Sequence, residues 1–409
     1  MGFSMVEELR RYAYQPLQGR RIVLGLTASS SIYKSIDLAR RLIRMGGRIR
    51  AVMTKSSLRL IGVDLVHWAI GEKPLYEMSG ETEHIDLAHW GDAVVIAPAT
   101  LNTMSKIAYG VLDELLTLTV VTMMGSGKKT IFVPAMNIRL MNSPQYKRAL
   151  EILEEYGAIV IPPMIEEDKA KFPPVDDLSH CVEAVVNRGV DLKGRRILVT
   201  AGPTREYLDP VRVLTNPSSG LMGVIVAREL ACRGARVDLV HGPLAVNPPY
   251  MVNRIPVETT EDMARVVREL TSSSRYDAAV FAAAPADYKP AVKSPVKVST
   301  RENPVLELRL EETPKVIKHV ASKPRVTVVF AAETSGGEDL IEKTLLKARD
   351  YNADLAVGNN ILSEGAGFGK ELLDVVIASK EKVVEKGYRF KPEVARLIGD
   401  FIAERLREQ

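Results

Sequence analysis

Short apolar runs alternate along this chain with amphipathic segments of helical periodicity, and the same order of elements occurs twice. Residues 17–24, Leu-Gln-Gly-Arg-Arg-Ile-Val-Leu, are matched by residues 192–199, Leu-Lys-Gly-Arg-Arg-Ile-Leu-Val. Each copy leads through a loop of small residues into an amphipathic helix and then into a second apolar strand, at 49–53 or 237–240. Because a strand, a crossover helix and a second strand form a right-handed parallel unit, we expect two domains with parallel sheets.

The remaining pattern of the first half extends this unit into a doubly wound domain. Further apolar strands are predicted at 93–97, 130–134 and 158–161, and helices at 101–108, 113–123 and 144–156. The polar segment 187–193 contains a glycine and is the best linker candidate. We therefore predict an α/β fold of two doubly wound, Rossmann-like domains with mainly parallel sheets, spanning residues 1–190 and 191–409.

Composition limits the classes of partner and the cellular compartment. The 409 residues are 46% hydrophobic, which is enough for a core in each domain. The 55 lysines and arginines are interleaved with 51 aspartates and glutamates, so we predict small anionic substrates and no nucleic-acid partner. The only cysteines, Cys181 and Cys232, argue against a disulfide scaffold, and no Cys/His spacing of a zinc site is present. With neither a signal-peptide core nor a membrane-length apolar run, the sequence predicts a cytoplasmic protein without a membrane partner.

Three loops of the first half follow predicted strands and carry unusual polar residues, at 27–31, 97–102 and 134–137. Parallel strands end at the same edge of a sheet, so these loops should line one crevice. The Thr/Ser-rich loop 27–31 precedes a helix containing Lys34 and can hold a phosphate through hydroxyls and backbone N–H groups. No Gly-x-Gly-x-x-Gly is present, and the Gly-Ser-Gly-Lys-Lys run at 125–129 lacks the P-loop pattern, so we interpret it as a basic turn.

These loops, together with His84-Ile85-Asp86-Leu87, resemble the flavin-dependent cysteine decarboxylase family, in particular its phosphopantothenoylcysteine decarboxylases, over residues 21–163. The resemblance implies a flavodoxin-like domain that uses FMN to oxidise the substrate's thiol, releases carbon dioxide and returns the electrons. It implies that His84 is the active-site base or proton carrier and that Asn137 binds the substrate carboxylate. It also implies a set of FMN-binding residues: Thr27, Ala28, Ser29, Ser30, Thr54, Pro98, Ala99, Thr100 and Asn102.

Two points in this half stay open. By residue type alone, His84 is more often a surface histidine that opens a short helix, and its catalytic role depends on the resemblance. The family carries a cysteine in a flap after the last strand, which protonates the product, whereas residues 166–174 of this chain contain none. Lys169 and Lys171 are the candidate acids of this flap, provided that burial lowers the pKa of one of them. Alternatively, both lysines hold the substrate phosphate or face solvent.

The second half opens with the polar sequence Ala-Gly-Pro-Thr-Arg-Glu at 201–206, continued by Asp-Pro-Val-Arg at 209–212 and Asn-Pro-Ser-Ser-Gly-Leu-Met-Gly at 216–223. It follows an apolar strand and ends where a helix starts, which Ser218 or Ser219 can cap. Backbone N–H groups near the glycines and the positive end of the helix dipole make an anion seat. Spacing alone is equally consistent with an ordinary strand-to-helix turn.

The residues of this stretch resemble the signature of phosphopantothenoylcysteine synthetases, and the resemblance extends over 196–401. It implies that the carboxylate of 4'-phosphopantothenate attacks a nucleoside triphosphate and that cysteine then displaces the nucleotide. Asn216 would hold the acyl intermediate. The residues implied to bind the nucleotide are Ser219, Gly220, Gly223, Asp287, Phe330 and Asn359, with Lys297 neutralising phosphate charge and Mg2+ accompanying the triphosphate. On composition alone, Lys297 is a solvated loop lysine.

The two resemblances together predict one chain that makes phosphopantothenoylcysteine and decarboxylates it to 4'-phosphopantetheine. The substrates are then 4'-phosphopantothenate, cysteine and CTP. ATP is the alternative nucleotide, because this chain has Glu-Thr-Pro-Lys at 312–315 where bacterial synthetases usually show Lys-x-Pro-Asp. We expect a homo-oligomer with trimeric decarboxylase and dimeric ligase contacts. The alternatives are an active ligase fused to a flavin-binding domain that decarboxylates weakly, or a first half that only binds flavin or forms oligomers.

Overall fold

The computed structural model of the chain describes residues 14–302, 304–365, 367 and 370–408. The chain divides into two compact units, Met1–Val190 and Asp191–Gln409. Each unit has its own main sheet, with five strands in the first unit and eight in the second.

The main sheet of the first unit is wholly parallel. Its strands are β1 (Arg21–Leu26), β2 (Arg48–Met53), β3 (Ala93–Ala99), β4 (Lys129–Pro134) and β6 (Ile159–Val160). Their order is β2-β1-β3-β4-β6. This is the flavodoxin-like order that the sequence predicted, in which the direction of winding reverses between β1 and β3. Every residue of β3 is buried, as expected for a central strand covered on both faces.

The helices of this unit are α1 (Lys34–Arg44), α2 (Val63–Ile70), α3 (Glu83–Trp90), α4 (Leu101–Ala108), α5 (Leu115–Gly125), the single turn α6 (Ile138–Met141), α7 (Pro144–Glu155) and α8 (Val175–Arg188). A 3₁₀ turn covers Lys55–Arg59. The buried residues Ile36, Ala39 and Ile43 of α1 recur at helical spacing, which is why the pattern predicts this helix. A separate antiparallel sheet consists of β5 (Met136–Asn137), β7 (Met164–Glu166) and β8 (Lys169–Lys171), with β8 in the middle.

The main sheet of the second unit has six parallel strands followed by an antiparallel hairpin. Its strands are β9 (Arg196–Ala201), β12 (Arg236–His241), β13 (Asn253–Pro256), β14 (Ala278–Phe281), β17 (Val326–Glu333), β18 (Leu355–Asn360), β19 (Leu372–Ala378) and β20 (Val383–Phe390). Their order is β13-β12-β9-β14-β17-β18-β19-β20. Only β18 with β19 and β19 with β20 pair antiparallel. The prediction of a Rossmann-like, mainly parallel sheet is confirmed, with its reversal point between β9 and β14.

Helices cover both faces of this second sheet. They are α9 (Leu221–Cys232), α10 (Thr260–Ser273), α11 (Gly337–Asp350) and α12 (Lys391–Arg407). Val328 of β17 lies in the core beneath α9 and α12, whereas its neighbour Val329 lies in the core beneath α11. Since successive strand residues point to opposite faces, α11 is on the other face from α9 and α12. Two short hairpins pair β10 (Glu206–Tyr207) with β11 (Val213–Leu214) and β15 (Tyr288–Pro290) with β16 (Leu310–Glu312), and a 3₁₀ turn covers Val316–His319.

The structure bears on two sequence expectations about the middle of the chain. The boundary between the two units, after Val190, lies within the segment 187–193 predicted as a linker, although α8 continues to Arg188 at the start of that segment. Neither Cys181 nor Cys232 is a free thiol, contrary to the expectation drawn from the cysteine count. Among the described residues, no helix combines the length and the apolar character that a membrane span requires.

A buried arginine ties three segments of the second unit together. Arg233 follows α9 and its side chain is 1% exposed. Its guanidinium donates to both carboxylate oxygens of Asp191, at 2.9 and 2.7 Å, and to Asp400 on α12 at 2.8 Å. Glu229 on α9 accepts a fourth bond at 3.4 Å. A buried guanidinium is tolerated only when its charge is compensated in this way.

Replacing Arg233 should therefore destabilise the second unit strongly. In Arg233→Met, carboxylates that face the guanidinium lose their counter-charge inside the protein, and we expect a loss of about 3–5 kcal/mol in the free energy of unfolding. Arg265→Met is the control, because Arg265 pairs with Asp262 and Glu269 on an exposed helix face and should cost less than about 1 kcal/mol. Denaturant titration of both variants measures the difference. Equal stability of the two variants would contradict the role given to Arg233.

Candidate active sites

The loops after β1 and β3 are joined by one buried hydroxyl. Thr27 follows β1, and its Oγ1 donates to the carbonyl oxygen of Pro98 at 2.7 Å. Oγ1 of Thr27 also accepts the backbone N–H of Thr100 at 3.1 Å. Thr27 thereby spans the point where the winding of the sheet reverses, which is where α/β sheets of this order bind ligands. Its hydroxyl donates its proton and accepts one hydrogen bond within the protein, so Thr27 shapes the site through the backbone it fixes.

A third loop reaches the same place. Oγ of Ser29 donates to the carbonyl oxygen of Ala135, which follows β4, at 3.3 Å. The three loops thus meet at the carboxyl edge of the sheet. Next to them lies a cleft of about 380 Å³. Its lining combines the serine loop, the start of α1, the loop after β4 and strand β8: Ser29, Ser30, Ser31, Tyr33, Lys34, Ala135, Met136, Asn137, Lys169, Ala170, Lys171 and Phe172.

The residues implied to bind FMN differ in how well they suit a ligand. Thr54, at the end of β2, is 3% exposed, and its buried Oγ1 has no hydrogen-bond partner within the described residues. An orphaned buried hydroxyl needs a partner from outside, so Thr54 fits a bound polar cofactor. Ala28 is half-buried and Ala99 is fully buried, whereas Asn102 is exposed on the first turn of α4.

The flap is a β-hairpin docked on the loop that carries Asn137. β7 and β8 are joined by a tight turn at Glu167 and Asp168, whose φ angles are 47° and 58°. β8 also pairs with β5, which places Lys169 directly opposite Asn137. The N–H of Ile138 donates to the carbonyl oxygen of Asp168 at 3.3 Å. The sequence located the flap but gave no sign of this pairing, since its strands are only two or three residues long.

The two flap lysines have different surroundings. Nζ of Lys171 donates to Glu166 at 2.9 Å and lies 3.7 Å from Glu167. The hydrogen bond to Glu166 raises the pKa of Lys171 above its usual value. The proposed acid role needed a lowered pKa, so Lys171 does not meet that expectation. Lys169 lines the cleft and has no ion pair with any described residue, but it is exposed, so the burial on which its acid role depended is absent as well.

His84 belongs to a different element from those that form this cleft. It occupies the first turn of α3, is half-buried, and is not among the residues that line the cleft in the described part of the chain. Asn137 does line it, although its side-chain oxygen accepts the N–H of Arg139 at 2.9 Å and so begins α6. The structure therefore does not bring the two predicted catalytic residues together within one chain.

In the second unit, a side-chain amide bonds to the loop after β14, at the point where the winding of the sheet reverses. Nδ2 of Asn216 donates to the carbonyl oxygens of Ala284 at 3.2 Å and Pro285 at 2.9 Å, which belong to the loop after β14. The adjoining cleft measures about 460 Å³ and takes in most residues predicted to bind the nucleotide. Those on its lining are Ser219, Gly220, Asp287, Phe330 and Asn359, whereas Gly223 is not on it. Asn216, implied to hold the acyl intermediate, lines it as well.

The start of α9 differs in detail from the prediction. The N-cap is Gly220, with φ of 76°, and not Ser218 or Ser219. Instead, Oγ of Ser218 accepts the N–H of Gly220 at 3.3 Å, and Oγ of Ser219 accepts the N–H of Leu221 at 3.4 Å. A left-handed residue at this point suits glycine because a Cβ would be strained, and here it would also lie 2.2 Å from the side chain of Leu244.

A smaller cavity of about 140 Å³ adjoins the cleft and shares Asp287 and Phe330 with it. Lys315 also lines this cavity, and its Nζ donates to Asp287 at 2.8 Å. Lys347 of α11 lines both spaces, which sequence reasoning missed because a lysine on an amphipathic helix looks like a solvated one. In the first unit, Lys34 at the start of α1 also lines the cleft.

Lys297 is exposed and does not line the cleft of its own chain in the described residues. The residue after it is held firmly. Asp209, which is fully buried, accepts the N–H of Val298 at 3.2 Å, while Nη1 of Arg212 donates to the carbonyl oxygen of Val298 at 3.1 Å. Arg212 and Asp209 also pair at 2.6 Å. The Asp-Pro-Val-Arg sequence therefore anchors the backbone that carries Lys297.

Close packing at Gly223 should control the shape of the second cleft. A Cβ there would lie 2.5 Å from Cβ of Ala201 and 3.0 Å from the carbonyl oxygen of Thr200, so Gly223→Ala must push α9 away from β9. We expect a loss of about 1–3 kcal/mol in stability and weaker nucleotide binding. Gly125→Ala is the control, since nothing lies within 4 Å of that site, and it should be neutral or stabilising. Thermal unfolding measures the stability of both variants, and calorimetric titration measures their affinity for the nucleotide. An unchanged nucleotide affinity in Gly223→Ala would be evidence against this packing constraint.

Comparisons with known proteins agree with this two-part organisation. The flavoprotein family matches residues 10–187, and the DNA/pantothenate metabolism flavoprotein C-terminal domain matches residues 192–406. The coenzyme A biosynthesis bifunctional protein CoaBC of Thermococcus kodakarensis is 36% identical over 95% of this chain and 96% of its own length. The protein of the same name from Bacillus subtilis is 30% identical over 89% of this chain and 92% of its own length.

A crystal structure of the C-terminal domain of a CoaBC protein covers 54% of this chain and 99% of its own, with 35% identity and a TM-score of 0.44. The match to the C-terminal domain family covers more than half of the chain, and the relatives align along nearly all of it. This agrees with both family resemblances in the sequence, one in each half. The chain belongs to the family of bifunctional coenzyme A biosynthesis proteins, with a flavoprotein unit followed by a DNA/pantothenate metabolism unit.

Proposed function

We propose that this bifunctional enzyme of coenzyme A biosynthesis carries out two consecutive reactions in two separate clefts. The second unit joins cysteine to 4'-phosphopantothenate with consumption of CTP, and the first unit decarboxylates the phosphopantothenoylcysteine to 4'-phosphopantetheine with FMN. The observation that carries this proposal is that each unit has a cleft at the carboxyl edge of its sheet, with Asn137 in one and Asn216 in the other. The two clefts have no residue in common.

In the ligase cleft, an amide and a helix start face a common space. The side-chain N–H groups of Asn216 donate to two carbonyl oxygens of the loop after β14. Its side-chain oxygen therefore remains available to orient the acyl intermediate. The N–H groups at the start of α9 and the helix dipole attract the triphosphate. The described residues contain no group of three or more His, Cys, Asp or Glu side chains arranged around a metal. We infer that Mg2+ is carried mainly by the triphosphate oxygens, as is usual for this ion.

The choice of nucleotide depends on the smaller cavity beside Asp287. Glu312 and Lys315 stand where the bacterial pattern has the opposite charges, and they pair with each other at 3.4 Å. The chain therefore keeps one acidic and one basic residue next to Asp287, and the net charge there is the same as in the bacterial pattern. On this ground we keep CTP ahead of ATP.

In the decarboxylase cleft, bound FMN supplies the two-electron oxidation of the thiol and the later return of electrons. The chain's own residues bind, orient and protonate. Thr54, which is not on the cleft lining, has an unused buried hydroxyl for the cofactor. Asn137, which lines the cleft, presents an uncharged amide to the substrate carboxylate and orients it without preventing loss of carbon dioxide. Lys34, Lys169 and Lys171 make the cleft electropositive, which suits a phosphorylated substrate.

We also propose that the active assembly is a homo-oligomer, with trimeric contacts between decarboxylase units and dimeric contacts between ligase units. Among the predicted catalytic residues, His84 and Lys297 are not on the described linings of the clefts of their own chain. The segment around Lys297 exposes large apolar side chains, with Val292 84%, Val296 68% and Val305 78% accessible. Exposed apolar clusters of this kind are typical of protein interfaces. A neighbouring copy would supply the missing groups.

A weakly decarboxylating first unit is the second candidate function, and the cysteine-free flap is the observation that favours it. The hairpin places a lysine opposite Asn137, and an exposed ammonium is a weaker acid than a thiol near neutral pH. In that case the chain would release phosphopantothenoylcysteine faster than it consumes it.

Two single substitutions should separate the activities. His84→Asn removes the group proposed to carry the proton, and we expect at least about a hundredfold slower release of carbon dioxide with unchanged synthesis of phosphopantothenoylcysteine. Lys297→Gln removes a charge that neutralises phosphate, and should slow synthesis by about a hundredfold while leaving decarboxylation of supplied phosphopantothenoylcysteine intact. Product masses from 4'-phosphopantothenate, cysteine and CTP measure both.

The control for this pair is retention of the flavin absorbance in both variants, together with wild-type oligomer size in gel filtration. ATP in place of CTP tests the nucleotide. The assignment of two sites fails if either substitution disables both reactions in folded, oligomeric protein.

The flap geometry predicts which lysine delivers a proton. Lys169→Met should yield an oxidised product, two hydrogens short of 4'-phosphopantetheine, because Lys169 faces Asn137 and is not held by a carboxylate. Lys171→Met is the matched control on the same strand and should give the fully reduced product, since the Glu166 ion pair keeps Lys171 protonated. Mass spectrometry distinguishes the products. Fully reduced product from both variants at the wild-type rate rules lysine out as the acid.

A further inference from the structure

A buried lysine lines the ligase cleft without any role in the scheme above. Lys391 begins α12, and its residue is 3% exposed. Among the described residues its ammonium has one hydrogen bond, to the carbonyl oxygen of Gly367 at 3.3 Å. No carboxylate of a described residue pairs with it. Sequence reasoning passed over Lys391 because a lysine at the start of a helix is ordinarily solvated.

The surroundings of Lys391 leave its charge uncompensated. Burial alone lowers the pKa of Lys391 below its usual value, with no acidic neighbour acting in the other direction. A buried ammonium with a single carbonyl partner is costly, because its remaining N–H groups have lost water without gaining acceptors. Such a group is stabilised when an anion enters the cleft.

The position of Lys391 identifies the part of the cleft concerned. α12 and α9 pack in one core on the same face of the sheet. Lys391 lines the cleft together with Gly220, Leu221 and Met222, which form the start of α9. Lys347, the other lysine on the lining, belongs to α11 on the opposite face. The positive helix start and the ammonium of Lys391 therefore both line the cleft from elements on the same face of the sheet.

We propose that Lys391 binds a phosphate group of a substrate at the end of the cleft where α9 begins. The proposal depends on the ligase function of this cleft and adds to it a residue that touches the substrate. Two ligands present the required chemistry there, the triphosphate of the nucleotide and the phosphomonoester of 4'-phosphopantothenate. Both are dianionic or more at neutral pH and both pair strongly with an ammonium.

The test compares ligand binding by the full-length protein and by variants of Lys391, using isothermal titration calorimetry. Lys391→Met removes the charge at similar volume. Lys391→Gln also removes it but keeps an N–H donor for Gly367, and Lys391→Arg keeps the charge. Lys386→Met, at an exposed position of β20, is the matched control. The ligands are inorganic pyrophosphate, CTP, 4'-phosphopantothenate and pantothenate, which lacks the phosphate.

We expect Lys391→Met and Lys391→Gln to bind at least one phosphorylated ligand about ten- to a hundredfold more weakly, with pantothenate unaffected and Lys391→Arg close to wild type. Weaker binding of CTP and pyrophosphate alone assigns the site to the triphosphate. Weaker binding of 4'-phosphopantothenate alone assigns it to the phosphomonoester.

Unchanged binding of every phosphorylated ligand by Lys391→Gln overturns the proposal. An equal loss for pantothenate also overturns it, because that result shows a structural role through Gly367. Failure of the ligase function itself is seen separately, as absence of phosphopantothenoylcysteine from wild-type protein supplied with CTP or ATP. Pyrophosphate binding remains measurable in that case and still decides whether Lys391 is a phosphate ligand.

Discussion

The site loops of both units depend on one constraint, the parallel direction of the strands from which they leave. A parallel sheet gathers its strand ends along one edge, and the reversal of winding opens a gap there between two central strands. Backbone groups at this gap have no neighbouring strand to bond with. Thr27 bridges the gap in the first unit and Asn216 bridges it in the second, one with a hydroxyl and the other with an amide. In each unit a single side chain thus satisfies some of these backbone groups beside the cleft.

Charge compensation then distinguishes the cations around these clefts. Lys171 and Lys315 are paired with carboxylates, which keep them protonated and fixed. Arg233 is buried far more deeply, yet carboxylates surround it, so it serves stability. Lys391 is buried without such a partner. The depth of burial is thus less informative about function than the presence or absence of a counter-charge.

The central strands of the main sheets could be predicted from sequence where they are apolar throughout, and the helices where the buried residues recur at helical spacing. β3 and α4 illustrate this, since the predicted and observed bounds agree within two residues. Short elements escaped prediction. β5 and β8 are held by pairing across more than thirty residues, which no local pattern records.

The residues of the candidate sites also divide into those that the sequence could place and those that it could not. Residues on signature loops, such as Asn216 and Gly220, could be placed because the loops follow identifiable strands. The cap at Gly220 was assigned to the serines because a glycine N-cap gives no side-chain signal. Lys347 and Lys391 could not be found, since their importance comes from burial against distant segments. The position of Lys297 outside its own cleft was equally invisible, because a loop residue's neighbours are set by tertiary contacts.

The flap hairpin has a consequence for how such a chain can change over time. Its attachment to the loop of Asn137 consists of main-chain pairing between β5 and β8, and the turn is made by the backbone of Glu167 and Asp168. Main-chain pairing places no demand on which side chain stands at position 169. The residue there can be exchanged while the scaffold continues to present it to the same spot. The side chain at this position can therefore vary in chemistry while the hairpin keeps its attachment to the loop of Asn137.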